Sequence, residues 1–115
     1  MATIFNTVER VAGEDEPRFV VRIDLLWDSS LAPVAKVEDA DIMISGPFYT
    51  MSDADGFWKV DHVYPNDVIV PTGSVYRVTE TFSSSEQKYF IQIPSGATEF
   101  YWTGDYVVPS PVWVR

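Results

Sequence analysis

Few residues of this chain are able to do chemistry, and their spacing decides what kind. Glu80 is the first, because Tyr76, Val78, Glu80 and Phe82 fall on one side of an extended segment, so its carboxyl is expected to point inward. A carboxyl removed from water needs hydrogen-bond partners or a proton, and the use expected of it is structural, with Tyr, Arg or backbone groups as donors. Asp53-Ala54-Asp55-Gly56 has the start of a calcium loop, but position twelve of such a loop, counted from Asp53, is Tyr64 rather than an acid. Asp39 and Asp41 could join it only across space, and the same four residues suit a tight turn closed by a glycine bulge. His62 is the single histidine and cysteine is absent, so a histidine-dependent triad or a multi-histidine metal site has no support, and His62 is expected on a sheet face. Paired carboxylates are expected anyway among 17 acidic residues, and glycosidase work would need them across a cleft. No catalytic, cofactor or metal site is assigned, and the chain is not expected to be an enzyme.

The C-terminal aromatics Phe100, Tyr101, Trp102, Tyr106 and Trp113 are dense for a chain end. Neighbours on a strand alternate, so three adjacent aromatics cannot all face one core. Three readings stand: a cover for the bottom of the chain's own fold, a subunit interface using Tyr and Trp as anchors, or a platform for stacking sugars. Trp113, beyond Pro109 and Pro111, is the stronger interface candidate, because an extended arm has little fold of its own to pack on.

Strands must position these residues. From Arg18 to Trp27, Phe19, Val21, Ile23, Leu25 and Trp27 alternate with Arg22 and Asp24, the mark of a half-buried strand. The best helical stretch, Leu31 to Asp41, carries Pro33 and the β-branched Val34 and Val37 and is rejected. Asp39 to Ser45 is expected to be a strand with Ala40, Ile42 and Ile44 inward. A short strand from Phe48 to Met51 then leads through Ser52–Trp58 into a hairpin whose return strand is Phe57 to Tyr64. Pro65-Asn66-Asp67 breaks the pairing and Pro71-Thr72-Gly73 turns the chain. Val75–Phe82 and Lys88–Ile93 follow as strands, and Pro94-Ser95-Gly96 ends the second. About seven short strands with regular turn signals indicate an all-β, antiparallel Ig-like or prealbumin-like sandwich. It forms one domain over residues 1–115, ending in an extended segment from about 105 to 115.

Four segments taken in order carry a resemblance: Ser52-Asp53-Ala54-Asp55-Gly56-Phe57-Trp58, Pro65-Asn66-Asp67, Pro71-Thr72-Gly73-Ser74-Val75-Tyr76-Arg77-Val78-Thr79-Glu80, and Tyr89-Phe90-Ile91-Gln92-Ile93-Pro94. Over roughly residues 18–94 the pattern resembles small β-sandwich modules of tailed-bacteriophage virion proteins, themselves similar to prealbumin-like and carboxypeptidase-regulatory-like domains. The resemblance implies a virion protein made in the host cytoplasm: a minor tail or fibre component, or a capsid-decoration subunit. Its partners would be other virion proteins, with this chain a homo-oligomer or present in many copies. A second reading, from another class, is a carbohydrate-binding module for host attachment, with coplanar exposed aromatics and a host glycan as partner. Such modules usually sit inside longer chains, and the short length favours a separate decoration or adaptor subunit. The Pro71–Glu80 stretch is also similar to bacterial surface domains that form Lys–Asn isopeptide bonds. That reaction needs a lysine on the first strand and an asparagine on the last; here Arg18 and Arg22 occupy the first, and no asparagine follows Asn66.

Composition narrows the partners further. The chain has 115 residues, of which 46% are hydrophobic, enough for one core. Its net charge of −9 opposes the counterion release that drives nucleic-acid binding, so no nucleic-acid partner is expected. No apolar run is long enough to span a membrane, and the N-terminus lacks the pattern of a signal peptide, so a soluble protein used as translated is expected.

Overall fold

The computed structural model describes residues 1–96 and 98–114. In chain order the strands are β1 (Ala2–Thr7), β2 (Val20–Leu26), β3 (Lys36–Val37), β4 (Phe48–Met51), β5 (Phe57–Val63), β6 (Ile69–Val70), β7 (Val75–Thr81), β8 (Glu86–Ile91), β9 (Phe100–Trp102) and β10 (Val107–Val108), with 3₁₀ turns at Asn66–Val68 and Thr103–Tyr106. A five-stranded sheet in the order β10-β8-β7-β2-β4 faces a three-stranded sheet in the order β5-β1-β9, and β3 pairs with β6 beside them. Pairing is antiparallel except between β1 and β9, which run parallel. This is an all-β sandwich. Among the described residues no helix is long and apolar enough to cross a membrane.

The core sits between the two sheets. The three-stranded sheet contributes Ile4, Trp58, Val60 and Tyr101, the five-stranded sheet Val21, Ile23, Val78 and Ile91, and the small pair Ile69. The alternation in β2 holds: Phe19, Val21 and Ile23 are buried, and Leu25 and Trp27 pack against the same cluster. Outward, Asp24 is shared by Arg22, at 3.1 Å, and Arg77, at 3.2 Å, which satisfies a carboxylate that the sheet largely covers.

The N-terminal strand β1 is an element the alternation did not announce. Ala2 and Ile4 are buried while Phe5 lies against Phe57 on the outer side, with ring centroids 6.2 Å apart. Its register with β5 slips between Ala2 and Ile4, which pair with Val63 and Val60. The extra residue on β5 makes a bulge, and His62 absorbs it with a left-handed φ of 61°. The only histidine is therefore an exposed bulge residue.

The turn at Ser52–Trp58 forms as expected, but the strands beside it do not make a hairpin. Asp53 Oδ1 accepts the backbone N–H of Asp55 at 2.9 Å and of Phe57 at 3.0 Å, and Gly56 takes φ +77°. Beyond it the two strands part, β4 pairing with β2 and β5 with β1, so the turn carries the chain from one sheet to the other. The N-terminal strand decides this: Val8 N–H donates to Gly56 C=O at 2.9 Å, which brings β1 alongside β5.

Asp39 to Ser45 is also corrected. Instead of a strand, the segment folds back on β3: Val37 N–H donates to Ile42 C=O at 2.9 Å and Ile44 N–H to Ala35 C=O at 3.0 Å. Asp39 sits at the tip with φ 58°, and of the three residues expected inward only Ile44 packs on the core, while Ile42 is exposed. A left-handed residue at the tip reverses the chain and ends the period-two alternation. The motif segments, by contrast, meet in space. Asn66 N–H donates to Ile93 C=O at 2.7 Å, Asn66 Oδ1 accepts Ile93 N–H at 2.7 Å, and Asn66 Nδ2 donates to Ser74 Oγ at 3.1 Å. Asp67 Oδ2 accepts from Ser95 N–H at 2.9 Å and from its hydroxyl at 2.8 Å. Pro65-Asn66-Asp67 thus interrupts one strand and ties the end of another.

A Cβ at Gly56 would collide with the Val8 carbonyl, whereas one at Gly73, φ +86°, would meet nothing within 4 Å. Gly73→Ala is expected to cost about 1 kcal/mol from its backbone alone, and Gly56→Ala at least about 2 kcal/mol. Urea denaturation midpoints of the two variants measure the difference; equal losses would mean that the Val8 contact does not constrain the turn.

Candidate functional site

The side chain of Glu80 is 0% exposed, at the sixth position of β7 and facing the opposite sheet. Its donors differ from those expected. Trp58 Nε1 donates to Oε2 at 2.7 Å, Asn6 Nδ2 donates to Oε2 at 2.9 Å, and Gln87 Nε2 donates to Oε1 at 3.1 Å. Asn6 lies on β1 and Trp58 on β5, so two of the three donors come from the facing sheet, and Gln87 is the register partner of Glu80 on β8. A group that only accepts meets a shell of N–H groups that here only donate, which offsets much of the cost of removing a carboxyl from water.

The shell continues outward. Asn6 Nδ2 also approaches the Tyr89 hydroxyl at 3.4 Å, that hydroxyl shares a hydrogen bond with Thr103 Oγ1 at 3.1 Å, and Trp102 Nε1 donates to Asn6 Oδ1 at 3.0 Å. Burial, and after it the neighbouring Glu80, hold the Tyr89 phenol well above the ordinary tyrosine range. Tyr76, whose hydroxyl donates to Tyr64 C=O at 2.6 Å, is raised likewise, chiefly by burial.

Asn6, Gln87, Tyr89, Trp102, Thr103 and Gly104 line a groove of about 560 Å³ above this network, with Glu9 and Lys88 also along its walls. Trp102 is 47% exposed, and its ring rests on Gly104, where an added Cβ would meet the indole at 2.5 Å. The glycine is required by that close approach.

The C-terminal aromatics divide as alternation demands. Tyr101 is 2% exposed and packs edge-on against Tyr106, ring centroids 5.1 Å apart, while Phe100 is 68% exposed. Of the five candidate interface residues, Tyr101 has no surface to offer a partner, and Phe100 and Trp102 have the most. The C-terminal segment from about residue 105 begins in the last two residues of the second 3₁₀ turn and is held to the sheet where β10 pairs with β8. Trp113 is half-buried and, with Leu26, Trp27 and Arg77, lines a small recess at the end of the sheet. Arg115, at the end of that segment, lies outside the described residues. Asn6 and Gln87 were not among the expected site residues. Asn6 lies 74 residues from Glu80, in a strand without a clear apolar alternation, so no local signal joined them.

No protein-family model matches this chain, and no curated protein matches it.

In the unfolded chain tyrosines titrate at about pH 10. Above that pH the folded protein keeps phenol protons on Tyr76 and Tyr89 that the unfolded chain has lost, so stability falls as pH rises. The urea midpoint is expected to drop between about pH 9 and about pH 11, with a shallower drop in Tyr76→Phe and Tyr89→Phe. A wild-type midpoint that stays level across this range would contradict it.

Proposed function

We propose that this chain is a non-enzymatic structural subunit of a bacteriophage virion, tail-associated or decorating the head, which assembles through its surface. The four-segment resemblance between residues 52 and 94 supports the class of protein. The observation that carries the assembly mode is the state of the sheet edges. β4 ends the five-stranded sheet and β9 ends the three-stranded sheet. Phe48, Tyr49 and Met51 on β4 are exposed, as are Phe100 and Trp102 on β9. Edge strands normally carry charges, prolines or bulges that discourage pairing, and Phe48-Tyr49-Thr50-Met51 has none of these. Strand addition by a neighbouring virion subunit would supply backbone hydrogen bonds to β4 and bury its aromatic and methionine side chains. The net charge of −9 keeps the unassembled subunit in solution. The carboxyl with the deepest burial supports the non-enzymatic reading, because both Glu80 oxygens are taken up by neutral donors inside the fold.

Mass spectrometry of gradient-purified particles is expected to find the chain as a stoichiometric component. Tyr49→Lys combined with Met51→Lys is expected to leave a folded subunit that no longer enters particles. Absence of the wild-type chain from purified particles would overturn the proposal.

A further inference from the structure

We propose that the groove over the Glu80 network is a binding site for one ring of a neutral saccharide. A sugar ring presents two surfaces, an apolar C–H face and a rim of hydroxyls that donate and accept together, and the groove supplies a counterpart to each. Trp102 provides the flat wall. One face of its indole is seated on Gly104, its N–H is engaged by Asn6, and the residue is still 47% exposed, so a plane held in place is left open to solvent. Asn6, Gln87, Tyr89 and Thr103 provide the rim.

These polar groups are fixed before any ligand arrives and are not used up. Glu80 holds one amide hydrogen of Gln87 and one of Asn6. Among the described residues the amide oxygen of Gln87 has no hydrogen-bond partner, and Asn6 Oδ1 accepts only the Trp102 indole, leaving a second lone pair. Ordering an exposed glutamine ordinarily costs conformational entropy on binding; here the buried carboxylate has already ordered it. The volume of about 560 Å³ lies in the range of small-ligand sites. Charge selects the ligand class. Glu9 and Lys88 on the walls oppose one another, while the acid beneath the floor and the net charge of −9 disfavour an anionic sugar.

The inference does not depend on where the protein assembles. It is tested on the full chain by titrating glucose, galactose, mannose and N-acetylglucosamine, and short neutral oligomers of each, with sialic acid as the anionic comparison. The readouts are the side-chain amide resonances of Asn6 and Gln87 and the indole resonance of Trp102. At least one neutral sugar is expected to move Asn6, Gln87 and Trp102 saturably, with sialic acid at least about tenfold weaker. Trp102→Ala and, separately, Gln87→Ala are expected to weaken that binding about tenfold or more, with the methyl resonances of the buried Ile23 and Ile69, which lie outside the Glu80 network, unchanged as proof of fold. Preference for an oligomer over its monomer would identify a polymeric glycan as the source, and equal binding a free sugar. No saturable shift at these residues with any neutral sugar up to tens of millimolar, or undiminished binding in both variants, would overturn the proposal.

Discussion

One carboxyl joins the two sheets. Glu80 on β7 takes hydrogen bonds from Asn6 on β1 and Trp58 on β5, across the layer between the sheets, and from Gln87 on its own sheet. Apolar packing is non-directional and would tolerate some sliding of one sheet on the other. A buried acceptor with three required donors does not. Moving β7 by one residue would turn Glu80 to solvent and leave the buried Trp58 indole N–H without a partner, at a cost of about 1–3 kcal/mol, besides breaking the Asn6 hydrogen bond. The group thus acts chiefly on which arrangement is adopted, while the surrounding core of Ile4, Val21, Trp58, Val78 and Ile91 supplies the burial that favours folding at all.

The rest of the architecture follows from placing β1 where Asn6 can reach that acid. β1 must lie beside β5, which it does by holding Gly56 through Val8, and this converts the Asp53–Gly56 turn from a hairpin into a passage between sheets. With β5 on one side, β1 has a free edge on the other, and β9 fills it in parallel. Parallel entry of β9 brings Tyr101 into the core and carries Trp102 to the Asn6 end of the strand. The groove, its ordered amides and its exposed indole are therefore by-products of how the buried acid is satisfied.

Much of this was legible in the sequence, though not the partner choices. The strand through Val21 and Ile23 and the inward Glu80 followed from two-residue alternation, because burial imposes that period directly. The local chemistry of Asp53-Ala54-Asp55-Gly56 specified a turn, yet a turn says nothing about which sheet each flanking strand joins. Asp39 to Ser45 looked like a strand because Ala40, Ile42 and Ile44 alternate; the left-handed Asp39 that reverses the chain leaves no mark in hydrophobic pattern. β1 escaped because its alternation is short and its last inward residue is the polar Asn6, which is there to serve an acid 74 positions away. Side chains chosen for a long-range polar contact break the apolar pattern that would reveal their strand.

The most direct test of the central claim is a double-mutant cycle in urea between Glu80→Ala and Trp58→Phe, each measured alone and together. If the carboxyl and the indole N–H form one interaction across the sheets, the two losses are non-additive by about 1–3 kcal/mol. Losses that add to within about 0.3 kcal/mol would mean that the two groups act independently, and that packing alone sets the arrangement of the sheets.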